Sequence, residues 1–91
     1  MTTTPTPETR EIRIKRLRIR SWHRGIKEMD LILGPFADTE LAKLDAESLD
    51  LYDRMLEEND WDLYYWVTGA RAMPDTYAPL IRRLAVFHNI D

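Results

Sequence analysis

The sequence predicts an all-α fold, a small single-domain bundle of about five short helices. Apolar residues recur at helical spacing from residue 25 onward, and no segment offers a partner strand for the alternating stretch near the N-terminus. With 91 residues, the chain suits one domain with a thin core. A surface that binds another molecule fits this size better than a large enclosed active site.

Residues 1–8 are rich in threonine and contain Pro5 and Pro7, which predicts a disordered N-terminal tail. We assign residues 9–91 to a single helical domain. The stretch EIRIKRLRIRSW, residues 11–22, alternates apolar and basic residues like a strand. Arginine and lysine are adequate helix formers, and a lone strand cannot satisfy its backbone hydrogen bonds, so we predict a helix there.

The second predicted helix begins near residue 25, because Ile26, Met29 and Leu33 fall at helical spacing. We expect Gly34-Pro35 to interrupt it. Proline has no N–H and disfavours the helical conformation of the residue before it. A short helix over residues 36–43 is expected to follow at an angle.

The remaining helices carry local start and stop signals. Asp45 is a candidate N-cap for a third helix, with Ser48 three positions on. Asn59 or Asp60 caps a fourth helix, which ends near Gly69. The last helix accommodates Pro79 only in its first turn. Apolar stripes support the third and last helices: Leu49, Tyr52 and Leu56, then Tyr77, Leu80, Leu84 and Phe87.

The aromatic run WDLYYW permits two interpretations. It is compatible with a stacking platform for bases or a flavin ring. The favoured interpretation is that it supplies much of this thin core, since large aromatic side chains dominate burial in small domains. The residues assigned to the core on this basis are Trp61, Leu63, Tyr64 and Trp66.

Composition excludes several kinds of site. The chain has no cysteine, and its two histidines, His23 and His88, show no metal-ligand spacing. Neither a Gly-x-Gly-x-x-Gly fingerprint nor a P-loop is present. We therefore expect no catalytic residue and no metal site. No apolar run approaches the roughly 20 residues that span a bilayer, and the N-terminus lacks an apolar signal region, so we expect a cytoplasmic protein without membrane insertion.

Charge is distributed unevenly along the chain. Residues 10–28 carry eight of the 13 Lys and Arg, whereas residues 29–91 carry 13 of the 16 Asp and Glu. The basic segment, residues 10–24, is compatible with a solvated helix face, a protein-binding patch, or a site for nucleic acid or anionic lipid. The net charge of −3 favours the first two.

Arg24, Gly25 and Glu28 form the best candidate for a recognition site. On a helical wheel of about 100° per residue, Arg24 and Glu28 lie about 40° apart, opposite the core-facing stripe and beside Leu31. An exposed pair of this kind contributes less than about 1 kcal/mol, so stability alone explains it poorly. Gly25 offers bare backbone that another protein can approach closely. We expect the pair to point outward.

These residues belong to a longer pattern, HRGIKEMDLILGPFADTELAKLDAESLDLYDRMLEENDWDLYYWVTG, which resembles the SdhE family of flavinylation (FAD assembly) factors for succinate dehydrogenase. The resemblance covers roughly residues 12–88. Its signature, Arg-Gly-x-x-Glu, is met by Arg24, Gly25 and Glu28, and Asp30 is the acidic residue that follows. More specific than this motif alone is its combination with Pro35-Phe36, the block LDLYDRMLEENDWDLYYW and the length of the chain. Asp62, Leu63 and Trp66 also match the family's later Asp-Leu-x-x-Trp pattern. His23 departs from the family, since many members carry a second arginine there.

The resemblance implies a compact five-helix fold and a chaperone-like assembly factor. Such factors bind the flavoprotein subunit of succinate dehydrogenase, and in some bacteria fumarate reductase, and promote covalent attachment of FAD. It implies that Arg24, Gly25, Glu28 and Asp30 form the partner-binding surface. FAD and the histidine that accepts it belong to the partner, so no stably bound cofactor is expected here. The alternatives are a small helical nucleic-acid-binding protein that uses residues 10–24, and a generic protein-interaction domain.

Overall fold

The computed structural model describes residues 8–90, which form five α-helices without a strand. This confirms the all-α prediction. The predicted tail lies almost entirely in residues 1–7, outside the described part, and stays a prediction. The helices are α1 (Arg10–Trp22), α2 (Lys27–Glu40), α3 (Ala46–Met55), α4 (Asp60–Thr68) and α5 (Ala78–Phe87), and a 3₁₀ turn (Leu41–Lys43) links α2 to α3.

Helix α1 confirms the helical interpretation of the alternating segment. Thr9 caps it by accepting a hydrogen bond from the amide of Ile12 at 3.2 Å. Only Leu17 and Ser21 of this helix are buried. The Ser21 hydroxyl lies 2.7 Å from the hydroxyl of the buried Tyr52, so the one buried polar side chain of α1 has a partner in the core.

The predicted interruption at Gly34-Pro35 is wrong, because α2 continues through Pro35 to Glu40. Proline removes one helical hydrogen bond and crowds the preceding turn. Burial of Leu33 and Phe36 on either side of it favours continuation. His88 of the α5 C-terminus also supports this turn, since its Nε2 lies 2.6 Å from the carbonyl oxygen of Ile32, to which it donates.

Gly34 lets α1 and α2 approach closely. A Cβ at this position would lie 2.4 to 2.5 Å from ring carbons of Trp22, which covers the glycine. The indole Nε1 of Trp22 lies 3.2 Å from both carboxylate oxygens of Asp38, one helical turn further along α2. The ring is thus fixed across the α1–α2 contact.

The caps predicted for the later helices are confirmed. Asp45 accepts from the Ser48 amide at 2.8 Å, and Asn59 accepts from the Trp61 amide at 2.9 Å. Helix α4 ends at Gly69 in the left-handed conformation, with φ 82°. Pro79 lies in the first turn of α5.

The assignment of Trp61 to the core is wrong, since 46% of its surface is exposed. Leu63 is fully buried, as predicted, whereas Tyr64 and Trp66 are half-buried. Trp61 lies about 200° around the helix from Leu63, on the opposite side of α4. It packs edge-on against Tyr64, with ring centroids 5.9 Å apart.

The basic segment is paired with acidic side chains of α3 rather than simply solvated. Asp53 accepts from Arg16 at 2.7 Å and from Arg20 at 2.9 Å, and Arg13 contacts Asp50. The other pairs along α1 are Arg13–Asp53, Arg20–Glu57, Arg16–Glu8 and Arg18–Asp38. The contacts with Asp50 and Asp53 join α1 to α3 through side chains, whereas Arg18–Asp38 joins α1 to α2.

We expect Asp53 to make stability depend on acid pH. The hydrogen bond from Arg16 lowers the pKa of Asp53 below its usual value. A lowered folded-state pKa stabilises the fold above the unfolded pKa of about 4, and this contribution is lost as pH falls through the folded pKa. Urea unfolding should show that Asp53→Asn is less stable than wild type by about 1–2 kcal/mol at pH 7, with a smaller difference at pH 3.

Asp50→Asn is the matched control, because Asp50 is exposed and, among residues 8–90, forms an ion pair with Arg13 alone. Its effect at pH 7 should stay below about 1 kcal/mol. Equal losses for the two variants at both pH values would contradict the role given to Asp53.

Candidate functional site

The recognition motif begins in the loop between α1 and α2, residues 23–26, called here the 23–26 loop. Two consecutive backbone amides of this loop each donate to a carboxylate. The Arg24 amide donates to Asp30 Oδ1 at 2.5 Å, and the Gly25 amide donates to Asp60 Oδ2 at 2.6 Å. The loop is therefore fixed from α2 on one side and from α4 on the other.

The predicted outward pair of Arg24 and Glu28 is wrong. Arg24 donates from Nε to Asp60 Oδ1 at 2.8 Å, and its side chain is only 10% exposed. Its Nη2 also lies 3.4 Å from the carbonyl oxygen of Glu58. Arg24 precedes the helix, which begins at Lys27, so helical-wheel geometry does not apply to it.

Gly25 is exposed, as predicted, but one side of it is occupied by Asp60. A Cβ on Gly25 would lie 2.8 Å from Asp60 Oδ2, closer than real contacts allow. Any side chain at this position therefore displaces the carboxylate that holds the loop. Close approach of Asp60, rather than an unusual φ, is what favours glycine here.

The outward part of the motif lies on the first turns of α2. Glu28 is exposed, and Leu31, one turn further on, is 56% exposed, as predicted. Lys27 is exposed beside them. We call Lys27, Glu28 and Leu31 the Glu28 face. It presents charged and apolar side chains next to the exposed backbone of Gly25.

Asp60 is the residue of this site that the sequence did not reveal as functional. The sequence marks Asp60 only as a candidate helix cap, and Asn59 takes that role. The available signal was the presence of two adjacent cap candidates where a helix needs one. Asp60 also lies in the first turn of α4, as Asp30 lies in the first turn of α2, where the helix dipole favours a carboxylate.

Within residues 8–90, no group of three or more histidine, cysteine, aspartate or glutamate side chains could hold a metal ion. Across the same residues, no helix is both long enough and apolar enough to cross a membrane. The hydrogen bonds around Gly25 fix the conformation of the 23–26 loop, which forms part of the protein surface.

Comparison with known proteins identifies the family. Residues 15–88 match the family described as "Flavinator of succinate dehydrogenase". The chain belongs to this flavinator family. The match includes the 23–26 loop, the Glu28 face and Asp60, and it confirms the resemblance drawn from the Arg24, Gly25 and Glu28 motif.

Relatives of this chain include fungal and animal proteins named as succinate dehydrogenase assembly factors. The "Succinate dehydrogenase assembly factor 2, mitochondrial" of Aspergillus flavus is 57% identical over 63 residues, which is 69% of this chain and 22% of that protein. The protein of the same name from Meyerozyma guilliermondii is 51% identical over 63 residues, 69% of this chain and 47% of its own length. "Succinate dehydrogenase assembly factor 2-B, mitochondrial" of Drosophila mojavensis is 41% identical over 83 residues, 89% of this chain and 53% of its own length. The chain thus spans between about a fifth and a half of these relatives.

Proposed function

We propose that this protein is an assembly factor that binds the flavoprotein subunit of succinate dehydrogenase, called here the client, and promotes covalent attachment of FAD to it. The observation that carries the proposal is the family match over residues 15–88. The relatives named as succinate dehydrogenase assembly factors support it. In this proposal the protein is a helper and not an enzyme.

The client-binding surface in this proposal comprises Arg24, Gly25, Glu28 and Asp30, with two different roles. Arg24 and Asp30 shape the 23–26 loop through their hydrogen bonds. Gly25 and Glu28 are exposed and available to the client. The client thus meets a rigid piece of backbone with one acidic side chain beside it.

The proposed mechanism is positioning. FAD belongs to the client, and this chain holds no cofactor stably, which is consistent with its lack of a dinucleotide fingerprint. The factor stabilises a client conformation in which the acceptor histidine of the client and the flavin methyl carbon are aligned. Alignment of reacting groups lowers a barrier by several kcal/mol without chemistry from the helper.

The proposal also covers a second client protein and the cellular compartment of this protein. The family resemblance implies fumarate reductase as a further client. We place the protein in the cytoplasm, as the sequence predicted, although the names of its relatives contain the word mitochondrial. Fractionation of the source cells tests this placement directly.

The nucleic-acid alternative receives little support from the structure. Arg13, Arg16 and Arg20 of the basic segment each contact carboxylates of α3 or the residues near it. Arginines held by carboxylates are poorly available for phosphates. The generic interaction domain is distinguished from the assembly factor by the following experiment.

The client, expressed without its own factor, should acquire covalent flavin when this protein is added and little without it. The measurement is protein-bound flavin fluorescence after denaturation. Glu28→Lys should reduce the yield at least about tenfold at limiting factor concentration, because reversing an interface charge weakens binding strongly.

Glu47→Lys is the matched control. Glu47 is the second residue of α3 and exposed, as Glu28 is the second residue of α2 and exposed, so effects on the helix dipole are the same. This control should keep the wild-type yield. Equal flavin with and without wild-type protein would reject the assembly-factor function, and equal loss in both variants would reject the assigned surface.

A further inference from the structure

We infer that Asp60 is a positioning residue for client binding, which acts from α4 by holding the 23–26 loop in the shape that the client contacts. The inference rests on the proposed function. It adds a residue outside the Arg-Gly-x-x-Glu motif, 35 positions along the chain from Gly25.

Both oxygens of the Asp60 carboxylate are used on this loop. Oδ1 accepts from the Arg24 guanidinium at 2.8 Å, and Oδ2 accepts from the Gly25 amide at 2.6 Å. One planar group thereby fixes a side chain and the neighbouring backbone together. An amide in place of the carboxylate has only one acceptor oxygen, so one of these two donors of the loop would lose its acceptor.

The fold keeps Asp60 available for this task. Asn59 caps α4 by accepting from the Trp61 amide, so Asp60 is not needed by its own helix. Leu63 and Val67 anchor α4 in the core. The helix dipole also favours the carboxylate in the first turn. Asp60 is thus a charged group on a rigid support, directed at the loop.

Stability is a poor explanation for this contact. The side chains of Arg24 and Asp60 are 10% and 14% exposed, so both charges are largely removed from water. Desolvation offsets much of the attraction in such a pair, whereas the geometry of the pair selects one arrangement of the chain. Glycine at position 25 permits this arrangement, because a Cβ there would lie 2.8 Å from Asp60 Oδ2.

The test is Asp60→Asn in the full chain, measured for client affinity, covalent flavin yield and the amide NMR signal of Gly25. The chain has only three glycines, so this signal is readily resolved. The Gly25 amide should lose its carboxylate hydrogen bond, move in chemical shift and exchange faster. Client Kd should rise at least about tenfold, as expected when a charged hydrogen-bonding partner is removed.

Two controls separate positioning from stability. Asp75→Asn makes the same chemical change at an exposed aspartate and should keep Kd within about twofold of wild type. Ile81→Val removes a methylene from a buried side chain of α5, away from the loop, and so lowers the stability of the fold. Under conditions where this variant is folded, it should bind the client as wild type does.

The inference is overturned if folded Asp60→Asn binds within twofold of wild type, if the Gly25 amide signal does not change, or if Ile81→Val loses as much affinity. Failure of Asp60→Asn to fold also overturns the inference, because Asp60 would then be required for folding of the whole protein and not only for the shape of the loop. Failure of wild-type protein to bind the client rejects the proposed function instead. The NMR result does not depend on the client and separates these two failures.

Discussion

Replacing Gly25 with arginine should reduce covalent flavin in the client to the level reached without the protein. The Cβ alone would lie 2.8 Å from Asp60 Oδ2, so the carboxylate must move and release the Gly25 amide. The new guanidinium would also compete with Arg24 for Asp60. The long side chain then covers the exposed backbone that the client approaches.

The same variant should remain folded. Gly25 lies in an exposed loop outside the helices and does not have a positive φ, so an L-residue is allowed there. Circular dichroism should show wild-type helix content, with a modest fall in Tm. Ala72→Arg introduces the same side chain at another exposed loop position and should preserve the flavin yield. Full activity of folded Gly25→Arg would remove this loop from the proposed interface.

Gly34→Ala should destabilise the protein by about 1–3 kcal/mol, a fall in Tm of roughly 5–20 °C. This change in stability is opposite in sign to the usual effect, in which alanine stabilises a helix by about 1 kcal/mol relative to glycine. The added methyl would lie 2.4 to 2.5 Å from the Trp22 ring. The ring must move, which also disturbs its hydrogen bond to Asp38.

A double-mutant cycle checks this cause. Trp22→Leu replaces the ring with a smaller side chain, and in that background Gly34→Ala should cost much less or become stabilising. Thermal unfolding of the four proteins measures the coupling. Additive effects of the two substitutions would show that Trp22 is not the obstacle to a methyl group at position 34.

Local chemistry made most of the fold predictable. Asp45, Asn59, Gly69 and Pro79 each act within their own turn, so the sequence around them indicated where helices begin or end. Continuation of α2 through Pro35 is accompanied by burial of Leu33 and Phe36 and by a hydrogen bond from His88, 56 residues away from the carbonyl it contacts. Such contacts are not visible in the local pattern.

For the same reason, the local sequence pattern predicted only part of the candidate site. Glu28 and Leu31 lie on a helix, so helical geometry correctly placed them outward. Arg24 lies before that helix and pairs with Asp60, 36 residues further along. Trp61 was misplaced because the composition of an aromatic run does not show which side of α4 each ring occupies.

The pairing of α1 with α3 has a consequence for the unfolded chain. Hydrogen bonds from Arg13, Arg16 and Arg20 to Asp50, Asp53 and Glu57 join residues 33 to 37 positions apart, so these contacts form only after the chain has been synthesised as far as residue 57 and has folded. We expect the unfolded chain to bind polyanions more strongly than the folded protein does, because these arginines then lack their carboxylate partners. Retention on heparin should therefore rise with the unfolded fraction of a preparation.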